Sequence, residues 1–169
     1  MTVHLICGKL CSGKSTYART LAHQENAVIL SCDEIMTLFP PIQGDAAYAE
    51  ISGKVKRLLL QKAADTARCG AAVILDWGFW GKEERRATQA FFAQRSIPCQ
   101  WHYLNVSDAQ WRRQIARRNA APGPSDYLVD EGLALKCLRL FEAPDEAERQ
   151  GWIVAGEEEA QFMTPSNCE

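Results

Sequence analysis

Residues 3–16 read VHLICGKLCSGKST, and the spacing inside this stretch decides the fold. Val3–Cys7 is a short apolar strand, and a helix from about Lys14 to His23 follows it. Between them Gly8, Gly13, Lys14 and Ser15 stand in the pattern G-x-x-x-x-G-K-[ST], in the strand-to-helix setting that this motif requires. Gly8 and Gly13 permit backbone angles barred to residues with a Cβ. The amide groups of the loop then converge on phosphate oxygens, helped by the positive end of the helix. Lys14 reaches the β- and γ-phosphates of a nucleotide, and the Ser15 hydroxyl is placed to ligate Mg²⁺. The bare pattern arises by chance on the order of once in a hundred chains of this size. Gly8, Lys9, Leu10, Cys11, Ser12, Gly13, Lys14, Ser15 and Thr16 are therefore the expected nucleotide contacts, with Lys9 and Cys11 at variable positions of the loop.

Outward from the loop, strand-like and helix-like runs alternate to the far end of the chain. Ala27–Ser31 is a second strand. From about Ala46 to Cys69, Ile51, Val55, Leu58, Leu59 and Lys62 fall at helical spacing, with Lys62 snorkelling and Gly70 as the stop. Ala71–Asp76 is a buried strand, Lys82–Arg95 a helix with Ala87, Ala90, Phe91 and Phe92 as its apolar side, and Gln100–Asn105 a strand. Ser107 and Asp108 cap a helix running to about Asn119. Pro122-Gly123-Pro124 breaks it, Asp130–Phe141 is helical again, and Trp152–Ala155 is a last short strand. Such alternation predicts an α/β domain, a parallel sheet covered by helices on both faces. Met1–Gly156 forms one domain and Glu157–Glu169 an acidic tail.

Composition narrows the function classes. The 169 residues are 47% hydrophobic and 24% charged, with a net charge of −2. That balance fits an ordinary folded domain and carries no polycationic signature for nucleic acid or anionic membrane. No apolar run approaches the roughly 18 residues that cross a bilayer. The seven cysteines are scattered and never spaced CxxC, which predicts free thiols in a reducing cytoplasm. Cys7, Cys69 and Cys99 lie in or beside apolar stretches and read as core thiols. A GTPase needs N-K-x-D, and none of Asn26, Asn105, Asn119 or Asn167 precedes a lysine. A transporter ATPase needs an LSGGQ-type signature and more length.

Two carboxylates mark the ligand edge of the predicted sheet. Asp33 follows the second strand, where it could accept a proton from a substrate hydroxyl or cap the helix starting near Glu34. Asp76 ends the third strand in the form of a Walker B element, which holds Mg²⁺. The run Trp77-Gly78-Phe79-Trp80-Gly81 either walls a substrate pocket or packs under the next helix. Arg112, Arg113, Arg117 and Arg118 precede the Pro/Gly loop, and one or two of them are expected on the γ-phosphate as lid arginines. Arg85 and Arg86 read as solvated. The histidines show no ligand spacing and receive no role.

Taken together, the phosphate loop, Asp33, VILDWGFW…EERR, RRQIARRN and YLVDEGLALKCLRLFEAPDEAE resemble the small P-loop kinases often labelled AAA-domain proteins. These are ATP-binding phosphotransferases related to zeta toxins, polynucleotide 5′-kinases, chloramphenicol phosphotransferase and gluconate kinase. The resemblance runs from Met1 to about Glu148. It implies a three-layer P-loop NTPase fold with sheet order 2-3-1-4-5 and a helical lid, spanning about Arg112 to Asp130. It also implies Mg-ATP on Gly8–Ser15 and an acid after strand two activating the acceptor. Polynucleotide kinases carry an arginine three positions after that acid, and here the position is Met36. The expectation is a cytoplasmic kinase, a monomer or weak dimer, transferring the γ-phosphate of ATP to the hydroxyl of a small molecule. Lys14 and Ser15 with Mg²⁺ hold the phosphates, Asp33 is the base, and Arg113, Arg117 or Arg118 clamps the transition state. The alternatives are a polynucleotide or RNA-end kinase and a non-catalytic ATP-binding switch.

Overall fold

β1 (Val3–Gly8) lies at the centre of a five-stranded sheet, buried along its whole length. It pairs in parallel with β3 (Ala72–Gly78) on one side and β4 (Cys99–Leu104) on the other. β2 (Ala27–Ser31) flanks β3 and β5 (Ile153–Ala155) flanks β4, also in parallel, which gives the order β2-β3-β1-β4-β5. In this computed structural model residues 1–122 and 128–156 are described. The acidic tail Glu157–Glu169 lies outside them, as do Gly123 and Pro124 of the helix-breaking loop.

The helices are α1 (Lys14–Glu25), α2 (Cys32–Met36), α3 (Asp45–Arg68), α4 (Lys82–Ala93), α5 (Asp108–Ala120) and α6 (Glu131–Leu140). Alternate residues of the strands feed two cores. Leu5, Cys7, Val73, Leu75, Trp101 and Tyr103 face α3 and α4. Ile6, Ile74, Leu104 and Ala155 face Ala18 and Leu21 of α1. A third cluster joins Val106, Trp111, Val129 and Ala134 to Leu10 and Cys11 of the phosphate loop, so α5 and α6 are packed onto that loop. No helix of the described residues is long and apolar enough to cross a membrane.

Both helix faces differ from the expected stripes. The side of α3 against the sheet is Val55, Leu59, Ala63, Ala64 and Ala67, whereas Leu58 is 51% exposed and Lys62 also points to solvent. Small alanines let the helix lie close to the sheet, so they, and not a snorkelling lysine, carry the stripe. On α4 the buried residues are Arg85, Thr88 and Phe92, with Ala87 and Ala90 exposed. Cys69, the C-cap of α3, is exposed, while Cys7 is fully buried and Cys99 half-buried. Gly70 does end α3, in the left-handed conformation at φ 87° that favours glycine after a helix.

Arg85, expected in solvent, is 1% exposed. Its Nε and Nη2 donate to Glu148 at 2.6 and 3.1 Å, and its Nη1 donates to the carbonyls of Phe79, Trp80 and Glu142 at 3.0, 3.1 and 2.9 Å. One guanidinium thus ties the end of β3 to the segment before β5. Arg85→Ala strands the Glu148 carboxylate and three carbonyls. A loss of about 3–5 kcal/mol in denaturant unfolding is expected. A loss below 1 kcal/mol would show that the pair holds nothing together.

A second buried polar group escaped sequence reasoning. His4 Nδ1 and His102 Nε2 are 3.0 Å apart between β1 and β4, and the Tyr17 hydroxyl of α1 is 2.8 Å from His102 Nδ1. Burial, reinforced by His4, pushes His102 down to about 4, and burial lowers His4 as well. The unfolded chain protonates these rings near 6.5, so between that pH and about 4 it binds more protons than the native state. Stability is therefore full above pH 6.5 and falls on acidification, with His102 contributing at most about 3 kcal/mol by pH 4. Denaturation midpoints at pH 7 and 4.5 measure this, and His102→Leu should flatten the dependence. An unchanged slope in that variant would assign the acid sensitivity elsewhere.

Candidate active site

The loop between β1 and α1 is built on close backbone approach. A Cβ on Gly8 would stand 2.6 Å from Ser12 Oγ, so only glycine fits beneath the loop there. Cys11 at φ 57° and Gly13 at φ 89° turn the chain back on itself, and the Ser12 amide donates to the Lys9 carbonyl at 3.2 Å. Lys14 Nζ donates to the same carbonyl at 2.6 Å, which holds the ammonium over the mouth of the loop. Burial lowers the Lys14 pKa, opposed by the carboxylates of Asp76 and Asp33.

Asp76 is 5% exposed at the end of β3. Burial raises its pKa, while a hydrogen bond from Ser15 and the charge of Lys14 act in the opposite direction. The Walker A serine and the strand-end carboxylate thus bear on one another at the head of the loop. Asp33 is exposed in the first turn of α2, and its charge bears on Lys14, Asp76 and the Tyr48 phenol of α3. It is not the helix cap. Ser31 is, its hydroxyl accepting from the Glu34 amide at 3.3 Å. Ser31-Cys32-Asp33-Glu34 has the S-x-x-E form of a capping box, so the signal was present in the sequence.

The third wall is α5. Trp111 Nε1 donates to the Leu10 carbonyl at 2.6 Å, and Lys9 Nζ reaches Asp108 at 2.9 Å while lying 5.6 Å from the Trp111 ring centre. Arg118 Nη1 is 3.3 Å from Cys11 Sγ. Asn119 closes the base of the segment after α5, its amide bonding both the carbonyl and the N–H of Val129 at 2.8 and 3.0 Å. Lys136 of α6 spans to Asp45 at the start of α3, 2.7 Å away. Among the described residues no three His, Cys, Asp or Glu side chains converge as a metal cage.

The sequence matches the AAA domain family over residues 3–144, most of its length. The chain belongs to that family. No curated protein matches it, but solved structures do. The AAA domain is similar to the Chaetomium thermophilum Kti12 in complex with ADP-AlF3, with a TM-score of 0.67 at 14% identity, covering 91% of this chain and 88% of that one. It is similar to the Mycobacterium tuberculosis APS kinase in complex with AMPPNP and APS, with a TM-score of 0.63 at 17% identity over 95% and 94%. A gluconokinase from Sinorhizobium meliloti gives 0.61 at 14% over 92% and 82%. At these identities the likeness speaks for the fold, that of a P-loop kinase with sheet order 2-3-1-4-5.

Within this AAA domain the expected site residues fall into two groups. Gly8, Gly13, Lys14, Ser15, Asp33, Asp76 and Arg118 gather at the carboxyl edge of the sheet. Thr16, Arg113 and Arg117 are exposed, the two arginines on the side of α5 away from Trp111. Within the loop, Leu10 and Cys11 pack into the α5–α6 cluster, the Lys9 side chain is spent on α5, and Ser12, 2% exposed, is tucked against Gly8. Of the aromatic run, Phe79 is fully buried with its ring edge-on to Trp101 at 5.0 Å, and Trp77 packs beside it at 4.8 Å. Gly78 at φ 87° and Phe79 at φ 46° bend the strand end, and the Trp80 indole lies so close over Gly78 that a Cβ would meet its Nε1 at 2.6 Å. Tyr48, Ser31 and Trp111 were not foreseen.

Proposed function

We propose that this AAA domain is a kinase that moves the γ-phosphate of Mg-ATP to a hydroxyl of a small molecule. The observation that carries the reading is the position of Asp33. Ser31 takes over the capping of α2 and leaves the Asp33 carboxylate exposed, within electrostatic reach of Lys14 and of Asp76. The residues fit the implied metal: Ser15 and Asp76 are hard oxygen donors at the same end of the loop, and a buried carboxylate is stabilised by a cation. Mg²⁺ bound there would neutralise charge on the β- and γ-phosphates.

The chain's own residues supply the remainder. Lys14 exchanges the Lys9 carbonyl for a phosphate oxygen, and the loop amides position the β-phosphate. Asp33 takes the proton of the acceptor hydroxyl as its oxygen bonds to the γ-phosphorus and the bond to ADP breaks. Arg118 steadies the charge on the transferring group. The segment from Arg112 to Asp130 acts as the lid. The domain works in the cytoplasm with free thiols.

The test is γ-labelled ATP incubated with pooled metabolites, nucleosides, antibiotics and oligonucleotides. Label should appear in a phosphate monoester of a small alcohol. Label confined to inorganic phosphate would contradict the reading, and label on oligonucleotide ends would transfer it to nucleic acid.

A further inference from the structure

The phosphate loop carries a thiol that its nucleotide chemistry does not use. Cys11 stands at φ 57°, half-buried, in the turn that brings the loop amides together. Its Sγ lies 3.3 Å from Nη1 of Arg118, and a guanidinium so placed favours the thiolate over the thiol. A second thiol belongs to the same mouth. Ala134 and Cys137 are the buried residues of α6 and share one face of it with Leu138. Ala134 and Leu138 belong to the cluster that also holds Leu10 and Cys11. The face of α6 that carries Cys137 is therefore the one packed onto the loop, and the charges of Cys11 and Lys14 both bear on Cys137.

The other described thiols are placed differently. Burial pushes Cys7 and Cys99 up to about 12 and Cys32 up to about 11, which keeps all three protonated and unreactive. Cys69 is exposed at the C-cap of α3, just before β3 begins, and so lies at the opposite edge of the sheet from the loop. Burial also raises Cys137, with the charge of Cys11 acting in the same direction and those of Lys136 and Lys14 against it. Converting Cys11 to a neutral sulfenic acid removes that opposing charge and leaves both lysines, so it readies Cys137 to attack.

We infer that Cys11 and Cys137 form a peroxide-sensitive pair whose disulfide closes the nucleotide site. The Cys11 thiolate attacks one oxygen of hydrogen peroxide, the O–O bond breaks, and the products are a sulfenic acid and hydroxide. The Cys137 thiolate then attacks that sulfur and expels its oxygen as hydroxide, forming the S–S bond. With the two thiol protons counted, the peroxide is reduced to two waters and the two sulfurs are oxidised. The bridge ties α6 to the turn at Cys11, over the space that the β- and γ-phosphates need, and draws the sulfur away from Arg118. Nucleotide and bridge exclude each other, so bound Mg-ATP protects the pair. The inference rests on the loop as the nucleotide site and not on phosphoryl transfer.

The test treats the reduced full chain with equimolar hydrogen peroxide at neutral pH, with and without Mg²⁺ and AMPPNP. Remaining thiols are alkylated, peptide masses locate any disulfide, and Mg-ATP is titrated calorimetrically. The expected result is a linked pair of peptides carrying Cys11 and Cys137, with loss of Mg-ATP binding that dithiothreitol restores. Bridging should be slower with AMPPNP bound. Cys137→Ala should bind Mg-ATP as the wild type does and keep that affinity through the same treatment. Cys137→Ser, closer in size to the native side chain, repeats the comparison. No bridge, a bridge that involves only Cys69 or Cys168, or a Cys11–Cys137 bridge with unchanged affinity overturns the inference. Equal loss of affinity in the wild type and Cys137→Ala overturns it as well and assigns the loss to Cys11 alone. A reduced wild type that binds no Mg-ATP contradicts the loop as a nucleotide site, and the gate falls with it.

Discussion

Asp33→Asn lowers phosphoryl transfer by about 10²–10⁴-fold, the usual contribution of a general base, and leaves the fold and nucleotide affinity nearly untouched. The substitution is clean because the amide is isosteric and Asp33 does no structural work that Asn cannot do. Ser31 caps α2, so the helix keeps its terminal hydrogen bond whichever residue stands at 33. An amide cannot take the hydroxyl proton. Affinity for ATP should hold or rise slightly, since one negative charge near the γ-phosphate is gone. Transfer and calorimetric ATP binding are measured in parallel. Transfer within a few-fold of wild type would move the base to Asp76, or leave a mechanism of positioning alone.

Arg118→Ala lowers transfer by about 10³-fold, whereas Arg113→Ala and Arg117→Ala stay within a few-fold of wild type. The distinction comes from the phase of one helix. Trp111 and Arg118 lie on the face of α5 that meets the phosphate loop, through the Leu10 carbonyl and the Cys11 thiol. Residue 113 falls nearly half a turn and residue 117 about a third of a turn away from that face, at 3.6 residues per turn, and both are exposed. A guanidinium beside the loop can reach the γ-phosphate with a small rotation, and those on the far face need α5 to roll. Equal losses for all three variants would mean that α5 rolls or that the cluster acts only through its field.

How much of this was legible depended on whether a property is local. The phosphate loop was, because its spacing is itself the geometry: two glycines set the turn, and Lys14 and Ser15 follow in a fixed register. The strands were, because the central strands of an all-parallel sheet are buried on both faces and read as apolar runs, and the partly exposed edge strands β2 and β5 are apolar as well. Sheet order came through the resemblance and was not in the periodicity. Helix faces were read less well. On α3 the alanines at 63, 64 and 67 carry the contact, and alanine gives a weak hydrophobic signal. On α4 the buried face holds Arg85, whose partner Glu148 is 63 residues distant in sequence, so nothing local marks it as buried. His4 and His102 meet only because β4 lies beside β1. Ser31 is the opposite case, a local signal that was overlooked: its capping box with Glu34 separates the cap from the carboxylate that was assigned both tasks.

The measurement that bears most directly on the site is calorimetric titration of Mg-ATP into the wild type and Lys14→Ala. Lys14 sits at the mouth of the loop with its ammonium on the Lys9 carbonyl, a contact that a bound nucleotide would replace with a phosphate oxygen. Removing it takes away the charge that the loop presents to the β- and γ-phosphates, and relieves a desolvated lysine, so the variant should fold at least as well. The expected result is saturable binding of Mg-ATP by the wild type and its loss in Lys14→Ala, with unfolding unchanged. Equal ATP affinity in the two proteins, with equal activity, would contradict the assignment of Gly8–Ser15 as the nucleotide site.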